Sequence, residues 1–143
     1  MASYVITGAS KGIGLELTKQ LSALGDGDVG LICAITRSQP SEALQEVIHG
    51  SNGRVISIIA SVSDLESVKR AAEEVRSHVG RRGLDVLVNN AGIAGVTPGG
   101  AITDMEIQQM ENCFDTNVIG AHRMISTFMP LLREGHQRKV INM

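Results

Sequence analysis

The chain has 143 residues, which is enough for one domain with its own hydrophobic core and too few to indicate several. Hydrophobic residues make up 43% and charged residues 20%, a composition that excludes an intrinsically disordered chain. The net charge of −2 gives no basic field for nucleic acid or an anionic membrane, so neither is an expected partner.

The first half of the chain alternates strand patterns with helix patterns. A β-branched run predicts the first strand at residues 4–7, and leucines at helical spacing predict a helix that follows through residue 24. A nearly continuous apolar run at 29–36 predicts a second strand, of the kind that is buried on both faces of a parallel sheet. A short helix begins at Pro40 and leads to a third strand at 55–59.

The third helix is predicted at residues 65–79 from apolar residues at helical spacing. Ser63 and Glu66 precede it in the spacing of a capping box, in which each side chain bonds the other residue's backbone N–H. Glycines end this helix, and an apolar run at 84–88 predicts the fourth strand.

The last third of the chain continues the alternation. A loop rich in glycine and proline at 92–100 leads into a long helix at 103–132, and a fifth strand begins at Val140. Strands that alternate with helices imply a parallel sheet covered on both faces, because right-handed crossovers place the helices there. We therefore predict an α/β fold, a doubly wound parallel sheet with strand order 3-2-1-4-5, in a single domain over residues 1–143.

A glycine-rich segment, TGASKGIG at residues 7–14, joins the first strand to the first helix. Backbone N–H groups and the positive end of the helix dipole can bind a pyrophosphate at such a junction. Gly8 permits the tight turn, Gly12 lets the backbone approach phosphate oxygens, and Gly14 allows close packing of the helix. A glycine turn without a ligand is the alternative, which the position after the first strand disfavours. The candidate cofactor contacts here are Gly8, Ser10, Lys11, Gly12, Ile13 and Gly14.

The pattern TGxxxGIG, followed by NNAG at residues 89–92 after the fourth strand, resembles the short-chain dehydrogenase/reductase family along essentially the whole chain. The resemblance implies a Rossmann-like fold and carbonyl/alcohol interconversion on a small-molecule substrate with a dinucleotide cofactor. It implies that Asn90, Ala91 and Gly92 lie along that cofactor, where a simple polar turn is the alternative. Asn117 matches the family's Asn on the long helix, where a local bend lets it hold a relay water, and it is the candidate catalytic residue. A plain helix-face amide is the other interpretation of Asn117.

The end of the second strand favours NADP(H) over NAD(H). No acidic residue stands there to hold an adenosine ribose 2′-hydroxyl, whereas Arg37 offers a permanent charge suited to a 2′-phosphate. Lys11 in the glycine turn can supply a second positive charge, and a solvated loop cation is the alternative role for Arg37. The family resemblance also places Ser61 and Val62 near the adenine, with Ser61 in place of the usual Asp.

The family's catalytic Tyr-x-x-x-Lys pair does not occur in this sequence. The one tyrosine, Tyr4, lies in the first strand with Gly8 four positions later, and the family's Ser is expected just after Met143. Without a positioned acid, a contribution of about 10²–10⁴-fold to the rate is lost. We therefore expect a C-terminally truncated family member that is not redox-competent alone. The alternative is a non-redox descendant, either a nucleotide-binding regulatory module or an isomerase or cyclase that reuses the pocket.

The long helix carries more apolar residues than one core-facing stripe needs, and a sheet that stops at the fifth strand has an open edge. Family members dimerise through this helix. We therefore expect a homo-oligomer formed through helix 103–132 or through the fifth-strand edge.

The remaining residues indicate the compartment. Cys33 and Cys113 lack metal-ligand spacing and are expected to be buried thiols in a reducing environment. No leader pattern opens the sequence and no apolar run is long enough for a membrane span, so a cytoplasmic location is expected. The four histidines are expected at the surface without a metal.

Overall fold

A computed structural model describes residues 1–25, 27–95 and 100–143. The strands of this part of the chain are β1 (Ala2–Thr7), β2 (Val29–Thr36), β3 (Val55–Ile59), β4 (Val86–Asn89) and β5 (Lys139–Asn142). The α-helices are α1 (Gly12–Ala23), α2 (Glu42–Gly50), α3 (Leu65–Val79), α4 (Ile107–Phe114) and α5 (Gly120–Glu134). A π-helical turn at Asp115–Ile119 joins α4 to α5, and 3-10 turns occur at Gly80–Arg82 and Ile102–Asp104.

The strands form one sheet in the order β3-β2-β1-β4-β5, and every neighbouring pair is parallel. The predicted topology is therefore confirmed. Val5 in β1 pairs with Cys33 in β2 and Leu87 in β4, so β1 lies at the centre. After β1, the chain adds β2 and β3 on one side of that strand, and it later adds β4 and β5 on the other side. In α/β folds, ligands bind at the carboxyl ends of the strands where the strand order reverses in this way.

Helices cover both faces of the sheet, and each face has its own hydrophobic cluster. Val5 faces the cluster formed with α3 and α5, where Met124 and Phe128 are fully buried. Ile6 faces the other cluster, formed with α1 and α2, where Leu44 is fully buried. Neighbouring residues of a strand point to opposite faces. Because helices cover both faces, the side chains that point to either face are buried, and the strands are apolar almost throughout.

The cap of α3 differs from the predicted capping box. Asp64 is the residue that caps the helix, because its Oδ1 accepts hydrogen bonds from the N–H groups of Glu66 at 3.0 Å and Ser67 at 3.3 Å. The Ser63 hydroxyl instead lies 3.1 Å from the Thr116 hydroxyl. The helix begins at Leu65, so Asp64 occupies the capping position and Ser63 lies one residue too early.

The predicted long helix at 103–132 is also corrected. Residues 102–104 form a separate 3-10 turn, and α4 begins at Ile107 after a capping box between Glu106 and Gln109. The helical path then passes through the π-helical turn and ends at Glu134. Residues 96–99 of the predicted loop lie outside the described residues.

The expected cysteine environments are confirmed for one residue of two. Cys33 is fully buried in the sheet, and this burial raises the pKa of its thiol to about 12. Cys113 is half-buried, because α4 is covered on one side by the loop that follows β4 and is open on the other. The histidines are all exposed. Within the described ranges there is no cluster of metal-ligating side chains and no helix long and apolar enough to cross a membrane.

Candidate functional site

A groove of about 400 Å³ opens at the carboxyl ends of the strands. The loops that follow β1, β2, β3 and β4 each contribute to it, which brings together segments far apart in the sequence. All predicted cofactor residues except Gly14 line this groove: Gly8, Ser10, Lys11, Gly12, Ile13, Arg37, Ser61, Val62, Asn90, Ala91 and Gly92. Five further residues, which no sequence motif indicates, also line the groove: Ile35, Ala60, Ser63, Ile93 and Thr116.

The glycine turn has a backbone that favours glycine at two positions. Gly8 has φ +70° and Gly12 has φ +57°, both in the left-handed region. A Cβ at Gly8 would lie 2.9 Å from the Cα of Ala91, and one at Gly14 would lie 2.5 Å from the Gly8 carbonyl oxygen. Gly14 is therefore buried beneath the turn instead of facing the groove. A Cβ at Gly12 meets no protein atom within 4 Å, so only the conformation constrains that position.

The amino terminus of α1 differs from those of α2 and α3. Ser41 caps α2 and Asp64 caps α3, each with a side-chain oxygen that accepts from backbone N–H groups. Lys11 occupies the capping position of α1 and makes no such bond. The start of α1 therefore has no side-chain acceptor for its N–H groups, and its first two residues, Gly12 and Ile13, line the groove at the positive end of the helix dipole. This arrangement is suited to bind an anion.

Two cations line the same groove. Lys11 and Arg37 are both exposed, and neither side chain makes a hydrogen bond or ion pair with another residue in the described ranges. The groove lining contains no aspartate or glutamate among the described residues. Its electrostatic character is therefore positive, although the chain as a whole has a net charge of −2.

Thr7 fastens the segment after β4 to the end of β1. Its buried hydroxyl donates to the Val88 carbonyl at 3.3 Å and accepts from the N–H groups of Asn90 at 3.0 Å and Ala91 at 2.9 Å. The Asn90 side-chain amide in turn donates to the carbonyls of Thr7 at 2.9 Å and Gly8 at 3.3 Å. Asn90 thus supports the glycine turn as well as lining the groove. Thr7 was not predicted as a site residue, and its one sequence signal is a hydroxyl immediately before the first glycine.

Asn117 lies beside the groove instead of in its lining. A smaller cavity of about 200 Å³ adjoins the groove, shares Val62, Asn90, Ala91 and Gly92 with it, and is lined by Asn117. The Asn117 Oδ1 accepts from the Ile93 N–H at 2.9 Å, and its Nδ2 donates to the Ile93 carbonyl at 2.9 Å. The side chain therefore holds the backbone that follows the NNAG segment. Asn117 lies within the π-helical turn, where the helix departs from α geometry.

The chain is similar to known dehydrogenases over nearly its whole length. A family model described as short chain dehydrogenase matches residues 3–143. The short-chain dehydrogenase/reductase atnB of Arthrinium sp. is 37% identical over 148 aligned residues, which cover 99% of this chain and 54% of that protein. The short-chain dehydrogenase/reductase AacuF of Aspergillus aculeatus is 37% identical over 153 aligned residues, covering 99% and 53%. The chain thus spans about half the length of these curated relatives.

Solved structures agree with the fold. The NADPH-bound carbonyl reductase from chicken fatty liver matches with a TM-score of 0.81 and 29% sequence identity. The match covers 94% of this chain and 49% of the chicken chain.

Proposed function

Since the chain belongs to the short-chain dehydrogenase/reductase family, we propose that its groove binds a dinucleotide and that this dinucleotide is NADP(H). Members of the family use NAD(P) cofactors. The observation that carries the proposal is the pair of cations, Lys11 and Arg37, beside the uncapped amino terminus of α1. Backbone N–H groups of α1 receive the pyrophosphate, and the two cations remain available for a further phosphate.

The choice of NADP(H) over NAD(H) rests on charge. NAD-binding sites use a carboxylate to accept hydrogen bonds from the adenosine ribose hydroxyls, and that carboxylate repels a 2′-phosphate. No carboxylate lines the described part of this groove, and Arg37 follows β2, where the 2′-position is expected. The chicken carbonyl reductase, which was solved with NADPH bound, supports the same choice.

Substitution of Arg37 by methionine tests the cofactor preference, because methionine keeps an apolar stem and removes the charge. A lost hydrogen-bonded charge contact corresponds to about a 10- to 100-fold weaker NADPH affinity, with the NADH affinity changed by less than about threefold. The measurement is a fluorescence titration of the 143-residue chain with each reduced cofactor. Arg81→Met, which removes an exposed arginine outside the groove, is the matched control. A wild-type chain that binds NADH as tightly as NADPH would overturn the proposal.

Bound NADPH supplies a hydride for carbonyl reduction, and we propose carbonyl/alcohol interconversion as the activity of the whole protein. The lining residues of the groove would bind the cofactor, and three residues hold the backbone around it. Thr7 and Asn90 support the glycine turn, and Asn117 holds the Ile93 backbone. These 143 residues contain no Tyr-x-x-x-Lys pair to deliver the proton. A polypeptide of these residues alone is therefore proposed to bind NADPH without reducing carbonyl compounds, which absorbance assays of NADPH oxidation would check.

Self-association is proposed as well, through the apolar side chains that α4 and the π-helical turn expose. The β5 edge is the second candidate surface, since its residues are exposed along their length. A cytoplasmic location stays a prediction from the sequence.

A further inference from the structure

We propose that Arg123 is a positioning residue for the dinucleotide groove, which it serves by holding the π-helical turn against the loop after β3. Arg123 lies in the first turn of α5 and does not line the groove. Its Nη2 donates to Asp115 Oδ1 at 2.7 Å, and its Nη1 donates to the Val62 carbonyl at 3.4 Å. Asp115 begins the π-helical turn, and Val62 lines the groove. The inference deepens the proposed function and rests on it for the effect on cofactor binding.

The ion pair between Arg123 and Asp115 is partly shielded from solvent. The Arg123 side chain is 22% exposed and that of Asp115 is 35% exposed, which is less than either partner of the Lys69–Glu66 pair at the surface of α3. The hydrogen bond from Arg123 is the main cause that lowers the pKa of Asp115 below its usual value, and its charge adds to this effect. Water weakens the attraction within such a pair less than within a fully solvated pair, so the two residues are held together more firmly.

Arg123 acts together with two uncharged contacts on the loop after β3. A Cβ at Gly120 would lie 2.9 Å from Val62 Cγ2, so Val62 packs directly against the start of α5. The Ser63 hydroxyl lies 3.1 Å from the Thr116 hydroxyl in the π-helical turn. One wall of the groove is therefore joined to the helix by packing, by a hydroxyl pair and by the guanidinium.

The opposite wall depends on the same turn. Asn117 lies in the middle of the π-helical turn, and its amide makes two hydrogen bonds of 2.9 Å to the Ile93 backbone, beside a longer one of 3.8 Å from Cys113 Sγ to the Ile93 carbonyl. Ile93 lines the groove from the β4 side, whereas Val62 lines it from the β3 side. A change in the geometry of this turn therefore moves both walls.

The spacing of the ion pair favours the π geometry over a regular α-helix. Asp115 and Arg123 are eight residues apart, and in an α-helix that spacing amounts to about 12 Å along the axis. The wider turns of a π-helix bring the two positions closer, and single π-turns are typically retained at functional sites. The ion pair therefore holds the π-helical turn, and this turn fixes the position of Asn117. Loss of the ion pair removes this support.

The test compares Arg123→Met with Arg123→Lys, which restores a positive charge, and with Asp115→Asn, which keeps an acceptor oxygen. The first readout is hydrogen exchange at the Ile93 N–H, the donor to Asn117, in the cofactor-free chain. The second is the NADPH dissociation constant. We expect Arg123→Met to speed the exchange at Ile93 by about tenfold and to weaken NADPH binding by about threefold to tenfold, with partial recovery in the lysine variant.

The matched control is Arg76→Met, which removes the ion pair between α3 and Glu134 at the far end of α5. It is expected to leave both the Ile93 exchange and the NADPH affinity at their wild-type values. Unchanged exchange at Ile93 in Arg123→Met and Asp115→Asn would overturn the positioning role. So would faster exchange by the same factor at core amides such as that of Val5, because that reports global instability. Faster exchange confined to Ile93 in a chain that does not bind NADPH would sustain the positioning role and refute the proposed function.

Discussion

The Ser41 hydroxyl donates a hydrogen bond of 2.7 Å to the carbonyl oxygen of Ser10, although the two residues are 31 positions apart in the sequence. The same hydroxyl accepts from the Leu44 N–H at 3.3 Å and so caps α2. Ser10 belongs to the glycine turn, and Ser41 ends the short segment that begins with Arg37. This one side chain therefore ties the cation proposed for the 2′-phosphate to the turn proposed for the pyrophosphate.

Replacement of Ser41 by glycine is predicted to lower the affinity for NADPH more than the affinity for NADH. Glycine keeps much of the preference for a helix N-cap, whereas the donor to Ser10 is lost. One neutral hydrogen bond corresponds to about a two- to tenfold weaker NADPH affinity. Titration of both cofactors measures the effect, and Ser41→Thr, which keeps the hydroxyl, is the control. An equal loss of affinity for NADPH and NADH would show that the hydrogen bond from Ser41 to Ser10 does not affect binding of the 2′-phosphate.

Gly12 and Gly14 are predicted to respond to alanine in different ways. A Cβ at Gly14 would lie 2.5 Å from both the Gly8 carbonyl oxygen and Asn90 Nδ2, and neither atom is free to move. Gly14→Ala is therefore expected to cost about 1–3 kcal/mol of unfolding free energy through overpacking. At Gly12 the new methyl meets no protein atom, and the left-handed backbone costs about 1–2 kcal/mol.

The distinguishing measurement for these glycines combines urea unfolding with NADPH titration. Gly12 lines the groove and Gly14 does not, so Gly12→Ala is expected to weaken binding more than its loss of stability accounts for. Gly14→Ala is expected to lower NADPH binding only in proportion to its loss of folded protein. A Gly12→Ala chain that binds NADPH like the wild type would contradict the position assigned to the pyrophosphate.

The sequence was sufficient for the features that depend on local pattern. Apolar runs and helical spacing predict the alternation of strands and helices, and the rules for doubly wound sheets then give the strand order. The glycine turn is recognised because it follows the first strand. The cap of α3 was missed because Ser63 and Asp64 are both good capping residues, and the first residue of the helix decides between them. The family resemblance predicts a local bend of the helix at Asn117, and the π-helical turn lies there, but apolar spacing alone does not encode it. It is held by contacts such as Arg123 with Val62, which are distant in sequence and form only in the folded chain.

Asp85 is predicted to make stability depend on pH. Its buried carboxylate accepts hydrogen bonds from the backbone N–H groups of Ser3, His136 and Gln137, and so joins β1 to the segment that enters β5. Burial alone would raise the pKa of Asp85, but these bonds and the Ser3 hydroxyl together lower it below the ordinary value. A lowered pKa in the folded state means that the stabilisation is present above the unfolded-state pKa of about 3.9 and is lost as the pH falls through the folded-state pKa.

Asp85→Asn is expected to destabilise the chain by about 2–4 kcal/mol at neutral pH, because an amide has one acceptor oxygen where the carboxylate has two. Thermal unfolding of wild type and variant across pH measures this difference, which should narrow as the pH falls from the unfolded-state pKa of about 3.9 through the lower folded-state pKa of Asp85. Glu66→Gln, which neutralises an exposed carboxylate, is the control and should show a small difference. A difference between wild type and Asp85→Asn that stays constant from neutral to acid pH would contradict the assignment.

Self-association is predicted through a stripe of exposed apolar side chains on α4 and the π-helical turn. Ile107, Met110, Phe114 and Val118 recur at helical spacing and are between 51% and 72% exposed, whereas Met124 further along the helical path is fully buried. Because the core leaves this stripe uncovered, its burial in a dimer would remove apolar surface from water. We expect sedimentation to detect a dimer at micromolar concentration and Phe114→Glu to dissociate it. Ile141→Glu, on the exposed β5 edge, is the comparison variant: dissociation by this change alone would assign the contact to the sheet edge, and a monomeric wild type would refute both surfaces.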